Sequence, residues 1–146
     1  MTKEEKELLL KDLCARLPYG VKLGFYASAT KQTYVCTLLG LEPEEEEPII
    51  AKTENGCFYM LAGNVKPYLF PLSSMTDKEL IEFFQIRGMN LNTYELRTFR
   101  RRDIAIASTL SSYSRNIDWL NAHHLDYRGL IEKGLALDAT NLSIYE

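Results

Sequence analysis

Charged residues alternate with leucines along MTKEEKELLLKDLCARL, and Leu9, Leu10, Leu13, Cys14 and Leu17 fall on one face of a 3.6-residue period, which predicts a first helix. Thr2 and Glu5 stand at capping-box spacing at its start. LPYG ends it, because Pro18 disfavours helical geometry at Leu17 and Gly20 permits a turn. The period then shortens. VKLGFYAS and QTYVCTLL are rich in β-branched and aromatic residues and flank the polar ATK, a hairpin pattern. PIIAKT and CFYMLA flank ENG, and Asn55-Gly56 is the strongest short hairpin signal in the chain, since both residues tolerate positive φ. Four antiparallel strands are predicted between Val21 and Ala62.

NVKPYLFPLSSMT carries Pro67 and Pro71 and reads as an extended crossing segment. Thr76 and Glu79 form a second capping box, with Met75 and Leu80 placed as a hydrophobic staple. DKELIEFFQIRG follows as a short amphipathic helix ending at Gly88. From Asn90 to Ser114 the pattern fits either a long helix or a strand followed by a loop. RNIDWLNAHHLD is helical in pattern, with Ile117, Leu120 and His124 on one face and Trp119 as a core anchor. YRGLIEKGLAL predicts a last short turn or helix before an irregular tail. No internal repeat or low-complexity linker divides the chain. The expectation is one α+β domain over residues 1–146: an N-terminal helix, a small antiparallel sheet of two hairpins or a half-open barrel, and C-terminal helices packed on it.

Composition adds limits. At 146 residues, 46% hydrophobic and 25% charged, the chain suits a globular protein with one core. A net charge of -3 says little about a polyionic partner. The stretch before Gly56 carries seven basic and ten acidic residues, and the surplus sits in the loop EPEEEEP, bracketed by Pro43 and Pro48. That loop can bind a cation or a basic partner, or act as a solvated segment that discourages sheet edges from pairing. The N-terminus has no uninterrupted apolar core, so it is not expected to be a signal peptide, and no apolar run approaches the roughly 20 residues of a membrane span. No membrane partner and a cytoplasmic location are expected. Cys14, Cys36 and Cys57 lie far apart without metal-ligand spacing, and each is expected to be a reduced, buried small hydrophobe.

Three groups of residues are candidates for function. His123, His124 and Asp126 lie in NAHHLDYRG. Adjacent helical residues point about 100° apart, so the two imidazoles do not converge on one metal, and the i, i+4 histidine pair of helical zinc sites is absent. A small hydrolase or metalloenzyme is one alternative. The competing expectation is a helix end: a histidine on the last carbonyls, Leu125 returning to the core, Asp126 capping the next turn, and Tyr127 with Arg128 packing locally. Arg97, Arg100, Arg101 and Arg102, with Phe99 between them, suit phosphate neutralisation with base stacking, so nucleic acid is a possible partner. Glu95, Asp103 and the acidic whole weigh against it. Tyr19, Tyr26, Tyr34 and Tyr59 are the candidate interaction face, if the strands present them together. No phosphate-binding glycine loop, G-x-S-x-G elbow or calcium loop occurs, and neither cofactor nor metal is expected.

LLLKDLCARLPYGVKL, VKPYLFPLSSMT and DWLNAHHLDYRGLIEKGLAL together resemble short proteins that recur in gut Bacteroides-type bacteria, often in phage-like or mobile regions. The resemblance implies an accessory protein of a mobile element; it implies no reaction and carries no catalytic residue across. The leading expectation is therefore a non-enzymatic module, phage-related, that binds a protein through an aromatic sheet face.

Overall fold

The computed structural model describes residues 1–86, 92 and 114–146, and there the chain is a mixed α+β fold with an N-terminal helix, an open six-stranded sheet and further helices. These residues belong to two compact units, one of Met1–Leu69 with Leu130–Glu146, the other of Phe70–Gly129.

In the first unit, helix α1 (Lys3–Arg16) starts as its sequence predicts. Thr2 Oγ1 accepts from the Glu5 amide at 3.1 Å, and Glu5 Oε2 accepts from the Thr2 amide at 2.7 Å. Its buried stripe differs from the expected one: Leu9, Asp12, Leu13 and Arg16 are buried, whereas Cys14 is exposed. The reason is a forked ion pair at zero exposure, in which Arg16 Nε donates to Asp12 Oδ2 at 2.7 Å and Nη2 to Oδ1 at 3.2 Å. Each charge finds its counter-charge inside the core, which offsets the cost of leaving water.

The strands are β1 (Lys22–Ala27), β2 (Gln32–Leu41), β3 (Ile49–Thr53), β4 (Gly56–Met60), β5 (Val65–Leu69) and β6 (Leu137–Asp138), in the order β4-β3-β2-β1-β5-β6. Neighbours are antiparallel except β5 and β6, which run parallel. The β3–β4 turn is centred one residue earlier than expected: Thr53 pairs with Gly56, so Glu54 and Asn55 form the turn. Only Gly56 uses positive φ, at +119°. The expected crossing segment supplies β5. Pro67 is tolerated in it because β6 pairs only with Tyr68 and Leu69, leaving the side of the missing N–H without a ladder bond.

Leu9 and Leu13 of α1 pack with Val21, Leu23, Cys36, Leu38, Ile49 and Met60 from one sheet face, and Leu130, Leu135 and Ala136 join that core. The tail is pinned near β5. The Tyr145 hydroxyl donates to Tyr68 O at 2.6 Å and accepts from the Lys22 amide at 3.1 Å. Burial pushes this phenol up to about 12. Leu137 fills the space over Gly24, where an added Cβ would meet its Cδ1 at 2.8 Å.

In the second unit, α2 (Asp77–Gln85) opens with the expected capping box, the Glu79 amide donating to Thr76 Oγ1 at 3.2 Å and the Thr76 amide to Glu79 Oε1 at 3.1 Å. Met75 and Leu80 are both buried, as the staple requires. Helix α3 (Ser114–Ala122) brings Trp119 and Leu120 into one cluster with Leu72, Phe83, Phe84 and Leu125. Among the described residues no helix is long and apolar enough to cross a membrane.

Candidate functional site

The histidine corner is built by the end of α3. The His124 amide donates to Asn121 O at 3.1 Å and the Leu125 amide to Leu120 O at 2.9 Å, a Schellman closure with His124 in the left-handed position at φ +57°. Residues 130–135 repeat the motif with the usual glycine: Gly134 N–H to Ile131 O at 3.0 Å, Leu135 N–H to Leu130 O at 2.8 Å, and Gly134 at φ +71°. The His123 ring stacks on the Trp119 indole at 3.8 Å and places Nδ1 2.8 Å from Trp119 O. Leu125 and Asp126 are buried. The Phe70 amide donates to His124 O and the Asp126 amide to Phe70 O, both at 2.8 Å. Arg128 Nη2 donates to the Tyr127 hydroxyl at 3.1 Å. The groups of this corner thus close a helix and hold a chain crossing. Among the described residues no three His, Cys, Asp or Glu side chains gather where they could hold a metal ion.

Arg97, Phe99, Arg100, Arg101 and Arg102 lie outside the described residues. The four tyrosines are not brought together. Tyr19 sits in the 3-10 turn Leu17–Tyr19 between α1 and β1. Side chains alternate along strands, and the pairings Phe25↔Tyr34 and Leu23↔Cys36 put Tyr34 on the α1 face of the sheet. Tyr26 and Tyr59 share the opposite face, but β1 and β4 are separated there by β2 and β3.

The structure assembles a different surface, at the β4 edge. The β2–β3 loop folds back on itself, with the Glu42 amide donating to Pro48 O at 2.8 Å and the Glu45 amide to Glu42 O at 3.0 Å. Glu42, Glu45, Glu46 and Glu47 then share an open groove of about 480 Å³ with Tyr59 and Leu61. Phe58, Tyr59 and Leu61 are 45%, 54% and 40% exposed, large values for apolar side chains on and just beyond one edge strand. Along the sequence the glutamate loop and Tyr59 lie more than ten residues apart. The signal joining them is the tight hairpin, whose register sets Tyr59 opposite Ile50, two residues beyond the loop's closing proline. A second groove of about 320 Å³ lies on the same sheet face, between Tyr26, Thr33, Asn64 and Lys66.

The cysteines divide differently from expectation: Cys36 is buried, but Cys14 and Cys57 are exposed. Burial pushes the Cys36 thiol up to about 11 against the pull of the Lys22 charge, so at neutral pH it is protonated and a poor nucleophile. Cys57 lies on β4 itself, on the Tyr59 face. In comparisons with known proteins, no family model matches the chain, and no curated protein or solved structure matches it either.

Proposed function

We propose that the chain is a non-enzymatic interaction module that captures a protein partner at the β4 end of its sheet. The observation that carries this reading is the exposure of Phe58, Tyr59 and Leu61 on and just beyond one edge strand. Tyr59 and Leu61 share one groove and Phe58 stands on the other sheet face of the same edge, and aromatic side chains supply much of the energy in protein contacts. The Bacteroides-type resemblance of the chain's three blocks supports a setting in the cytoplasm of such a host, as an accessory protein of a phage or mobile element.

The test is capture from native host lysate by wild-type protein and by a Phe58→Ser/Tyr59→Ser double variant, each with and without nuclease. The expected result is a protein that survives nuclease and is lost with the variant. Equal capture by both proteins refutes the reading. Material that disappears with nuclease transfers the function to nucleic-acid binding and to the arginine cluster.

A further inference from the structure

The two edges of the sheet are guarded unequally. β5 carries Lys66 and Pro67, two devices that deter strand addition, and β6 lies against its outer side. Among the described residues, β4 itself carries neither device. From Gly56 to Ala62 the sequence is GCFYMLA, without a charge or a proline, and the bulge of the sheet lies between β2 and β3. Alternate residues of β4 turn their N–H and C=O groups away from β3, toward a side that no described strand occupies.

We propose that β4 accepts an extended peptide segment bearing lysine or arginine as an added strand, with its cations against Glu42, Glu45, Glu46 and Glu47. The proposal rests on the interaction-module reading and names the chemistry of its partner. The backbone groups that β4 turns away from β3 supply sequence-independent hydrogen bonds. Phe58 and Tyr59 point to opposite sheet faces, so an added strand covers both at once. The glutamates that line the groove with Tyr59 and Leu61 select positive charge on the incoming chain. A second copy of this protein fits poorly. Its own β4 brings no lysine or arginine, and an antiparallel β4–β4 pairing directs its Glu54 turn toward the other copy's glutamates.

The test uses fluorescence anisotropy on the full chain with three labelled eight-residue probes. The first alternates lysine and valine, the second glutamate and valine, and the third is the lysine probe with N-methyl groups on its four central amides. The lysine probe is expected to bind, and the other two at least about tenfold more weakly, because one lacks charge complementarity and the other lacks the ladder hydrogen bonds. A Glu45→Gln/Glu46→Gln/Glu47→Gln variant with an unchanged circular dichroism spectrum should weaken the lysine probe by about tenfold. Bound probe should slow maleimide labelling of Cys57 and leave Cys14, on α1, unchanged.

Binding of the N-methylated probe equal to the parent overturns strand addition. Binding of the acidic probe equal to the basic one overturns the assignment of charge, and no binding of the lysine probe overturns the proposal outright. A dimer in sedimentation that Phe58→Ser dissociates gives the edge to a second copy and also overturns it. Capture from lysate is read separately. If capture depends on Phe58 and Tyr59 while the lysine probe fails, only strand addition falls; if capture is independent of them, the interaction reading falls.

Discussion

Asp12→Ala isolates the buried ion pair. Both partners have zero side-chain exposure and meet through two contacts of 2.7 and 3.2 Å, so removing the carboxylate strands a guanidinium in the core of the sheet-bearing unit. Breaking such a pair costs about 3–5 kcal/mol. At a urea dependence of about 1.5 kcal/mol/M, that lowers the unfolding midpoint by roughly 2–3 M. Asp12→Asn keeps the shape and loses the charge, and should fall between Ala and wild type. Asp12→Val with Arg16→Met removes both charges, and should be within about 1–2 kcal/mol of wild type, because an apolar replacement restores packing without a desolvation cost. The assay is urea unfolding followed by far-UV circular dichroism, since Trp119, the single tryptophan, belongs to the other unit and its fluorescence reports there. If Asp12→Ala costs under about 1 kcal/mol, or the double variant is as unstable as Asp12→Ala, the charge argument is wrong and lost volume is the cause.

The glycine positions and the buried acids of the sheet-bearing unit set further outcomes. Gly134→Ala should cost about 1–2 kcal/mol in thermal unfolding, because nothing lies within 4 Å of the new methyl and the left-handed backbone at φ +71° is the whole penalty. Gly24→Ala should push Leu137 off the sheet and increase hydrogen exchange at the Ala139 amide, which donates to Leu69 O at 2.8 Å, while exchange in β2–β4 stays unchanged. Stability should decline from about pH 9 upward, because the folded state keeps Cys36 and Tyr145 protonated after the unfolded chain has released those protons from ordinary values of 9.0 and 10.0. Both contributions are fully present below those values and vanish as pH passes about 11 and about 12, so Tyr145→Phe should flatten the upper part of the decline.

What was legible in the sequence was local. Both capping boxes act across three residues, and both are found where Thr2/Glu5 and Thr76/Glu79 stand. The first four strands follow from residue type and turn spacing. β5 was partly hidden because Pro67 argues against a strand unless the far side of that residue is unpaired, which only the distant β6 decides. β6 itself is two residues in parallel pairing, too short for any periodic signal. Asp12 and Arg16 occupy the same helical face as Leu9 and Leu13, so the i, i+3, i+4, i+7 spacing was readable; what misled was the rule that charges lie outside, which fails when two opposite charges sit one turn apart. Of the four tyrosines only Tyr59 enters the β4 surface, because which strand lies at the edge depends on the strand order rather than on the strand's own residues.

The sheet-bearing unit is discontinuous in the chain, and this orders its birth on the ribosome. α1 and β1 to β5 emerge first, but Leu130, Leu135, Ala136 and β6 follow only after the roughly 60 residues of the inserted unit. At a synthesis rate of about 5–20 residues per second, that is a delay of several seconds. During it the nascent sheet has two open edges and an unsaturated core. Chains that end before Leu130 should therefore be clients for holdase chaperones, and full-length chains freed from the ribosome should not.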